Sequence, residues 1–203
     1  STVSANTTSG FSIVSFTGTG SASTIGHGLN AVPKMYIVKN RSTASTQWRV
    51  YHASLGATKH MALDATQAVG TASSVFNNTE PTSSVFSVGT DDAANKSGDS
   101  LIAYCFAEKQ GYSKFGSYVG NGSATNGTFV YTGFKPAWLM VKNTATTSSW
   151  EIWDVKRNTF NPTAKSIFPD GSGAEYDYTN RVDLLSNGFK LKTTSAPNAT
   201  GSN

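Results

Sequence analysis

Apolar residues in this chain come in short runs that alternate with polar ones, and no stretch sustains the 3.6-residue period of a helix. Phe11-Ser12-Ile13-Val14-Ser15-Phe16 is one such run, bounded by Gly10 and Gly18. Met35-Tyr36-Ile37-Val38, Trp48-Arg49-Val50-Tyr51-His52, Val85-Phe86-Ser87-Val88 and Phe189-Lys190-Leu191 are others. Gly, Ser, Asn and Asp clusters separate them, which is the pattern of short antiparallel strands joined by turns. Ala62 to Ala72 is the one place for a short helix, and Gly70 with the Thr residues weakens it. Leu101 to Glu108 is long, apolar and unbroken, and predicts a central strand buried on both faces.

The runs repeat. Ser15 to Gly20 recurs at Ser117 to Gly122, an offset of 102, and Gln47 to Tyr51 recurs at Ser149 to Trp153, again 102. Pro33 through Asn40 recurs at Pro136 through Asn143, an offset of 103, and Val85 to Val88 recurs at Gly188 to Leu191, also 103. Asn95-Lys96-Ser97-Gly98 recurs as Asn198-Ala199-Thr200-Gly201. Five anchors in order predict two copies of one unit of about 100 residues. The expected architecture is all-β: two tandem antiparallel β-sandwich domains of jelly-roll or Ig-like kind from an internal duplication. The expected limits are a flexible segment 1–10, a first repeat 11–109 and a second repeat 113–203.

Strand alternation sorts side chains into faces. Trp48 with Val50, and Trp150 with Ile152, are expected in the core. Tyr51 and Trp153 are then expected on the opposite face. With Trp138 they are the candidate aromatics for a sugar or a partner.

Carried to the end of the chain, the repeat register matches Asn203 to Ser100. The second copy is therefore expected to lack the counterpart of Leu101 to Glu108. Losing about seven such side chains at roughly 1.5 kcal/mol each forfeits on the order of 10 kcal/mol, comparable to the stability of a domain. Two explanations stay open: a truncated chain, or strand addition by a neighbouring copy, which builds a fibre head to tail. The N-terminal segment from Val3 to Phe16 is the donor candidate, with Phe11, Ile13, Val14 and Phe16 as its apolar groups.

Composition narrows the class. Only 14% of residues are charged, while about 53 are Ser or Thr and 23 are aromatic. This suits an extracellular β-protein. No window approaches 18 consecutive apolar residues, so no membrane-spanning helix is expected. The net charge of +4 is spread thinly and gives no nucleic-acid stripe. The start, Ser1-Thr2-Val3-Ser4, has no Met and no leader pattern, as in a processed or recombinant chain.

Gly26-His27-Gly28-Leu29, Pro33-Lys34, Ile37 to Arg41, Trp48 to His52, Leu55 to Lys59, Pro81 to Ser87 and Ile102 to Glu108 form a specific motif string. The chain resembles, over nearly its whole length, an uncharacterised repeat family. That family is found in aquatic phage structural and tail-fibre-like proteins and in environmental surface proteins. The resemblance implies a β-sandwich used for structure or adhesion, with no catalytic residues to carry over. In that family the second copy continues into a strand like Ile102 to Glu108, and this chain departs from it there.

Candidate chemistry is sparse, and no enzyme activity, metal or cofactor is expected. Cys105 sits in the most apolar run and reads as a buried small hydrophobe. His27, between Gly26 and Gly28, reads as a turn residue. Asp91, Asp92, Asn95 and Asp99 form an oxygen-rich loop without the spacing of an EF-hand. Asn6, Asn40, Asn77, Asn95, Asn121, Asn126 and Asn198 head glycosylation sequons and are the candidate glycan acceptors. The expected function is an extracellular fibre or phage-appendage subunit whose partners are copies of itself. The alternative is a carbohydrate-binding adhesion module.

Overall fold

The computed structural model describes residues 1–201 and is all-β, with mostly antiparallel sheets. Contacts divide the chain into two compact units. Unit 1 holds residues 1–63 and 69–116, and unit 2 holds residues 64–68 with those from 117 onward.

In unit 1 the strands are β1 (Thr2–Asn6), β2 (Phe11–Thr17), β3 (Ser23–Gly26), β4 (Met35–Asn40), β5 (Arg49–His52), β6 (Lys59–Ala62), β7 (Gly70–Thr71), β8 (Val85–Val88) and β9 (Ser100–Phe106). Seven form one sheet in the order β1-β2-β9-β4-β5-β6-β7, and β3 pairs with β8. The core lies between these sheets: Val14, Phe16, Tyr36, Val38, Leu101 and Ala103 from the large one meet Ile25, Phe86 and Val88 from the small one. Tyr36 joins the layers, its ring 4.8 Å from that of Phe86 and stacked at 4.6 Å on Tyr51. Each such side chain, fully withdrawn from water, contributes about 1.5–3 kcal/mol before entropy is counted.

The run Leu101 to Glu108 is central in the sheet, as expected, but is not buried on both faces. Leu101, Ala103 and Cys105 are 0% exposed, whereas Ile102, Tyr104 and Phe106 are half-buried. The outward residues lie on neighbouring rings instead of beneath a covering sheet. Phe106 contacts Phe11 and Phe115, and Tyr104 stacks with Trp48 at 6.3 Å. An aromatic patch of this kind hides half of each ring, so an unbroken apolar run does not require two dry faces.

Three further expectations are corrected. Residues 1–10 are not a flexible tether: β1 pairs with β2 from Thr2↔Ser15 to Asn6↔Phe11, and Asn6 Oδ1 accepts the Ser9 amide in the turn. The helical turn falls at α1 (Ser73–Phe76), after the segment Ala62 to Ala72, because Val75 and Phe76 anchor it in the core. Both faces of β5 are covered: Val50 is buried as expected, as is Trp150 later in the chain, but the opposite face is buried too. Tyr51 points into the core at 1% exposure, and Trp48 is half-buried on the other side. Alternation says which side chains share a face, and the packing of the neighbouring sheet decides which face is inside.

In unit 2 the strands are β10 (Phe129–Tyr131), β11 (Trp138–Lys142), β12 (Trp150–Asp154), β13 (Thr163–Ser166), β14 (Tyr176–Leu185) and β15 (Gly188–Leu191). One sheet runs β10-β15-β14-β13, and β11 pairs with β12. Val141, Trp153, Val182, Leu184, Phe189 and Leu191 form its core. The register echoes unit 1: Tyr36 faces Tyr51 across β4 and β5, and Leu139 faces Trp153 across β11 and β12. Likewise Ile25 faces Phe86, and Val130 faces Phe189.

A buried asparagine ties each unit together. Asn95, in the short helix α2 (Asp92–Asn95), accepts from Thr19 N at 2.9 Å and donates to Ser21 O at 2.7 Å and Gly89 O at 2.6 Å. Asn198 accepts from Asn121 N at 3.2 Å and donates to Ser123 O at 2.9 Å and Thr193 O at 2.8 Å. Gly18 and Gly120 pass so close that a Cβ on either would collide with the carbonyl oxygen of Lys96 or Ala199. Asn95→Ala leaves the Thr19 amide and the Gly89 carbonyl unpaired, and a buried unpaired group costs about 1–3 kcal/mol. Urea unfolding of that variant is therefore expected to show a loss of about 3 kcal/mol. The exposed Ser83→Ala should stay within about 0.5 kcal/mol of the parent. A loss under about 1 kcal/mol for Asn95→Ala would contradict the clamp.

Candidate functional site

Strand β4 is enclosed: β5 pairs on one edge and β9 on the other, from Met35↔Phe106 to Asn40↔Leu101. Strand β11, which the sequence repeat sets against β4, pairs among the described residues with β12 alone. Its exposure follows. Met35 is 5% exposed, while its counterpart Trp138 is 55% exposed; Leu139 and Met140 are half-buried, and Val141 and Lys142 are buried. Lys114 to Tyr118, the sequence counterpart of β2, forms no strand. Tyr118 is held instead by its hydroxyl, which donates to Pro197 O at 2.6 Å, and by the Phe189 ring at 5.9 Å. The break expected after Asn203 lies outside the described residues.

Of the three aromatics singled out for a ligand, Trp138 alone is at the surface. Tyr51 donates to the Glu80 carboxylate, and Trp153 Nε1 donates to Ser166 Oγ at 2.8 Å. Both rings are buried, at 1% and 0% exposure, so neither is a stacking platform. The donor residues Phe11, Ile13, Val14 and Phe16 are paired at home along the whole of β9, from Phe11↔Phe106 to Thr17↔Ser100. Val14 and Phe16 lie in the unit 1 core. They are integral to their own sheet, and β1 is the part of the N-terminal segment that presents an edge.

The acidic loop is structural. Asp91 caps α2 through Ala93 N and pairs with Arg49 at 2.8 Å. Asp99 accepts from Asn40 and Thr43, bonds that hold its carboxyl below the usual range. Among the described residues no three His, Cys, Asp or Glu side chains gather to hold a metal. Cys105 is fully buried, and burial pushes its thiol up to about 12 against the opposing pull of Ser12. A thiol so protonated is a poor nucleophile.

The sequons divide sharply. Asn40, Asn95 and Asn198 are 1%, 0% and 0% exposed, and each amide is engaged, that of Asn40 by Asp92 O and the Asp99 carboxylate and the other two by backbone carbonyls, so they are not acceptors in the folded chain. Asn6, Asn77, Asn121 and Asn126 are exposed. Sequence reasoning missed a cavity of about 520 Å³ in unit 1, lined in part by Lys39, Arg41, Trp48, Ile102 and Tyr104. Its signal was present in the repeated Val-Lys-Asn, Lys39 matching Lys142, which marked the repeat without marking a surface.

Ionisation separates the units. His27 is buried; its Nδ1 accepts from Leu29 N at 3.2 Å, so Nε2 carries the proton, 3.2 Å from Thr82 O. Burial holds its pKa below 6.5 against the weaker pull of Thr82, and burial also lowers His52 and His60. All three histidines belong to unit 1. Glu151 in unit 2 is pushed above 4.5 by burial, against the pull of Arg181 and Ser166. A histidine depressed on folding contributes stability above pH 6.5 that is lost as pH falls through 6.5. A carboxyl raised on folding has the opposite sign: acidification toward 4.5 favours the folded form. Hydrogen exchange between pH 7 and 5.5 is expected to show unit 1 losing protection and unit 2 keeping it, with His27→Gln reducing the unit 1 response. Equal losses in both units would refute this assignment.

No helix among the described residues is long and apolar enough to cross a membrane. No curated protein and no solved structure matches the chain. A family model matches residues 1–203, and the chain belongs to that family, described as a domain of unknown function (DUF7483).

Proposed function

We propose that the chain is a structural subunit of an extracellular fibre or phage appendage, built from two tandem β-sandwich domains of one duplicated unit, and that it assembles head to tail by strand addition. The observation that carries this reading is the edge of β11 that has no strand partner among the described residues, on the strand that the sequence repeat sets against β4. The equal registers of Tyr36↔Tyr51 and Leu139↔Trp153 support the duplication.

The donor is β1 of a neighbouring copy. Its five residues are all exposed, and it ends its sheet. Thr2-Val3-Ser4-Ala5-Asn6 has no charge, no proline and no bulge, so it lacks the devices that keep sheet edges apart. Joining β1 of one copy to β11 of another extends both sheets without drawing β2 out of its core. The two surfaces differ, so the contact does not close on itself and propagates. The same supports favour no enzyme chemistry. The resemblance to phage structural proteins and the Ser/Thr-rich composition favour an extracellular setting, with Asn6, Asn77, Asn121 and Asn126 as the exposed positions for glycans. A glycan-binding module remains the second reading, on the strength of the exposed Trp138 ring; sugar binding lost in Trp138→Ala, without filaments, would select it.

Electron microscopy and light scattering at micromolar concentration are expected to reveal filaments of the parent chain. Thr2→Lys with Ser4→Lys, both on exposed positions of β1, should leave folded monomers, because like charges block the edge. A parent chain that stays monomeric overturns the reading, and filaments unaffected by the double variant overturn β1 as donor.

A further inference from the structure

Residues 64–68 interrupt the sequence of unit 1 yet belong to unit 2. There the Thr66 carbonyl accepts from Ser148 N at 2.8 Å and from Lys142 Nζ at 3.0 Å. Lys142 Nζ also donates to Ser148 O, and the lysine is only 8% exposed. Unit 2 thus grips an extended segment, Asp64-Ala65-Thr66-Gln67-Ala68, through a lysine and a backbone amide.

Unit 1 carries the same grip. Lys39 stands for Lys142, and its Nζ donates to Thr46 O as Lys142 donates to Ser148 O. Asn40 stands for Asn143: Asn40 Oδ1 accepts Ser42 N and Thr43 N, and Asn143 Oδ1 accepts Ala145 N and Thr146 N. Trp48 stands for Trp150. Where Lys142 has the Thr66 carbonyl as its second partner, Lys39 has the Thr46 hydroxyl at 3.4 Å and lies 5.8 Å from the Trp48 ring centre. Lys39 is half-buried and borders the 520 Å³ cavity.

The gripped segment also has a twin. The pairing Val50↔Met61 recurs as Ile152↔Ile167, which sets Met61 against Ile167, 106 residues on. At that offset Asp64-Ala65-Thr66-Gln67-Ala68 falls on Asp170-Gly171-Ser172-Gly173-Ala174. Acid, small residue, hydroxyl residue and alanine recur in order. Gly171 to Ala174 are exposed. Asp170 leads this loop, and the loop carries no cation, while the cavity is lined by Lys39 and Arg41 and by no acidic side chain.

We propose that the unit 1 cavity is the docking site for the Gly171–Ala174 loop of a second copy of the chain, held by Lys39 and Thr46 as Thr66 is held by Lys142 and Ser148. The proposal rests on the self-assembly reading and adds to it a contact separate from the β1–β11 edge. Ser172 O takes the place of Thr66 O, receiving Thr46 N and the Lys39 ammonium. The small side chains of the loop let its backbone approach the flat Trp48–Tyr104 stack.

Thiol cross-linking tests the contact in the full chain. Thr46→Cys and Ser172→Cys are prepared as separate proteins, one isotope-labelled, and mixed under mild oxidation; Cys105 is fully buried and does not compete. A mixed disulfide dimer, identified by mass, is expected. Its yield should fall at least tenfold when Lys39→Met is added to the Thr46→Cys chain, and likewise on adding a synthetic peptide of Leu63 to Val69, which perturbs no fold. Filaments without the mixed dimer overturn this contact and leave the fibre reading standing. Neither filaments nor mixed dimer overturns both. A mixed dimer indifferent to both Lys39→Met and the peptide also overturns the assignment, since the cross-link then forms outside the cavity.

Discussion

Strand β9 satisfies the ladder hydrogen bonds of β2 and β4 at once, and it delivers Leu101, Ala103 and Cys105 to the centre of the unit 1 core. Most of unit 1 depends on that double pairing. With β9 in place, β2 is an internal strand, β4 is buried over nearly its whole length, and the aromatic patch of Phe11, Tyr104 and Phe106 has a surface to lie on. Unit 2 has no such strand among its described residues, and the difference spreads from there. Strand β11 keeps one edge bare, Lys114 to Tyr118 stays irregular, and the buried cluster draws on β14 and β15 instead. Backbone groups that cannot find a partner within a unit are the ones available to another chain.

Polar groups do much of the specifying in a molecule with few charges. The asparagine clamps fix the path of the turns, because a single buried side-chain amide bonds three backbone groups from separate segments. The lysines Lys39 and Lys142 act similarly, each tying the loop that follows its strand. These bonds add modest net stability, but leaving any of them unmade is costly, so they select one chain path over its near alternatives.

Strand positions were legible because β-branched and aromatic runs between turn residues leave little freedom. Cys105 was legible as a buried small residue from its apolar neighbours, and His27 as a turn residue from its glycine neighbours. The orientation of Tyr51 and Trp153 was not, since a strand covered on both sides carries no polar face to mark the outside; Val50 and Tyr51 are both buried. The clamps were invisible as clamps. Asn95 and Asn198 look like surface sequons, and only long-range contacts to Thr19 and Asn121 show otherwise. The cavity at Lys39 was hidden because its lining comes from β4, the following loop and β9, some 60 residues later.

The buried sequons carry a consequence for how such a chain is made. Some cells attach oligosaccharides to a nascent chain while it is still extended, when Asn40, Asn95 and Asn198 are as accessible as any other asparagine. A sugar on Asn95 or Asn198 removes an amide hydrogen that the turn carbonyls require and places a bulky group where no solvent reaches. Molecules modified there cannot close the joint and are diverted to degradation or aggregation. In a cell that glycosylates, native chain therefore requires that the turn close before a sugar reaches Asn95 or Asn198.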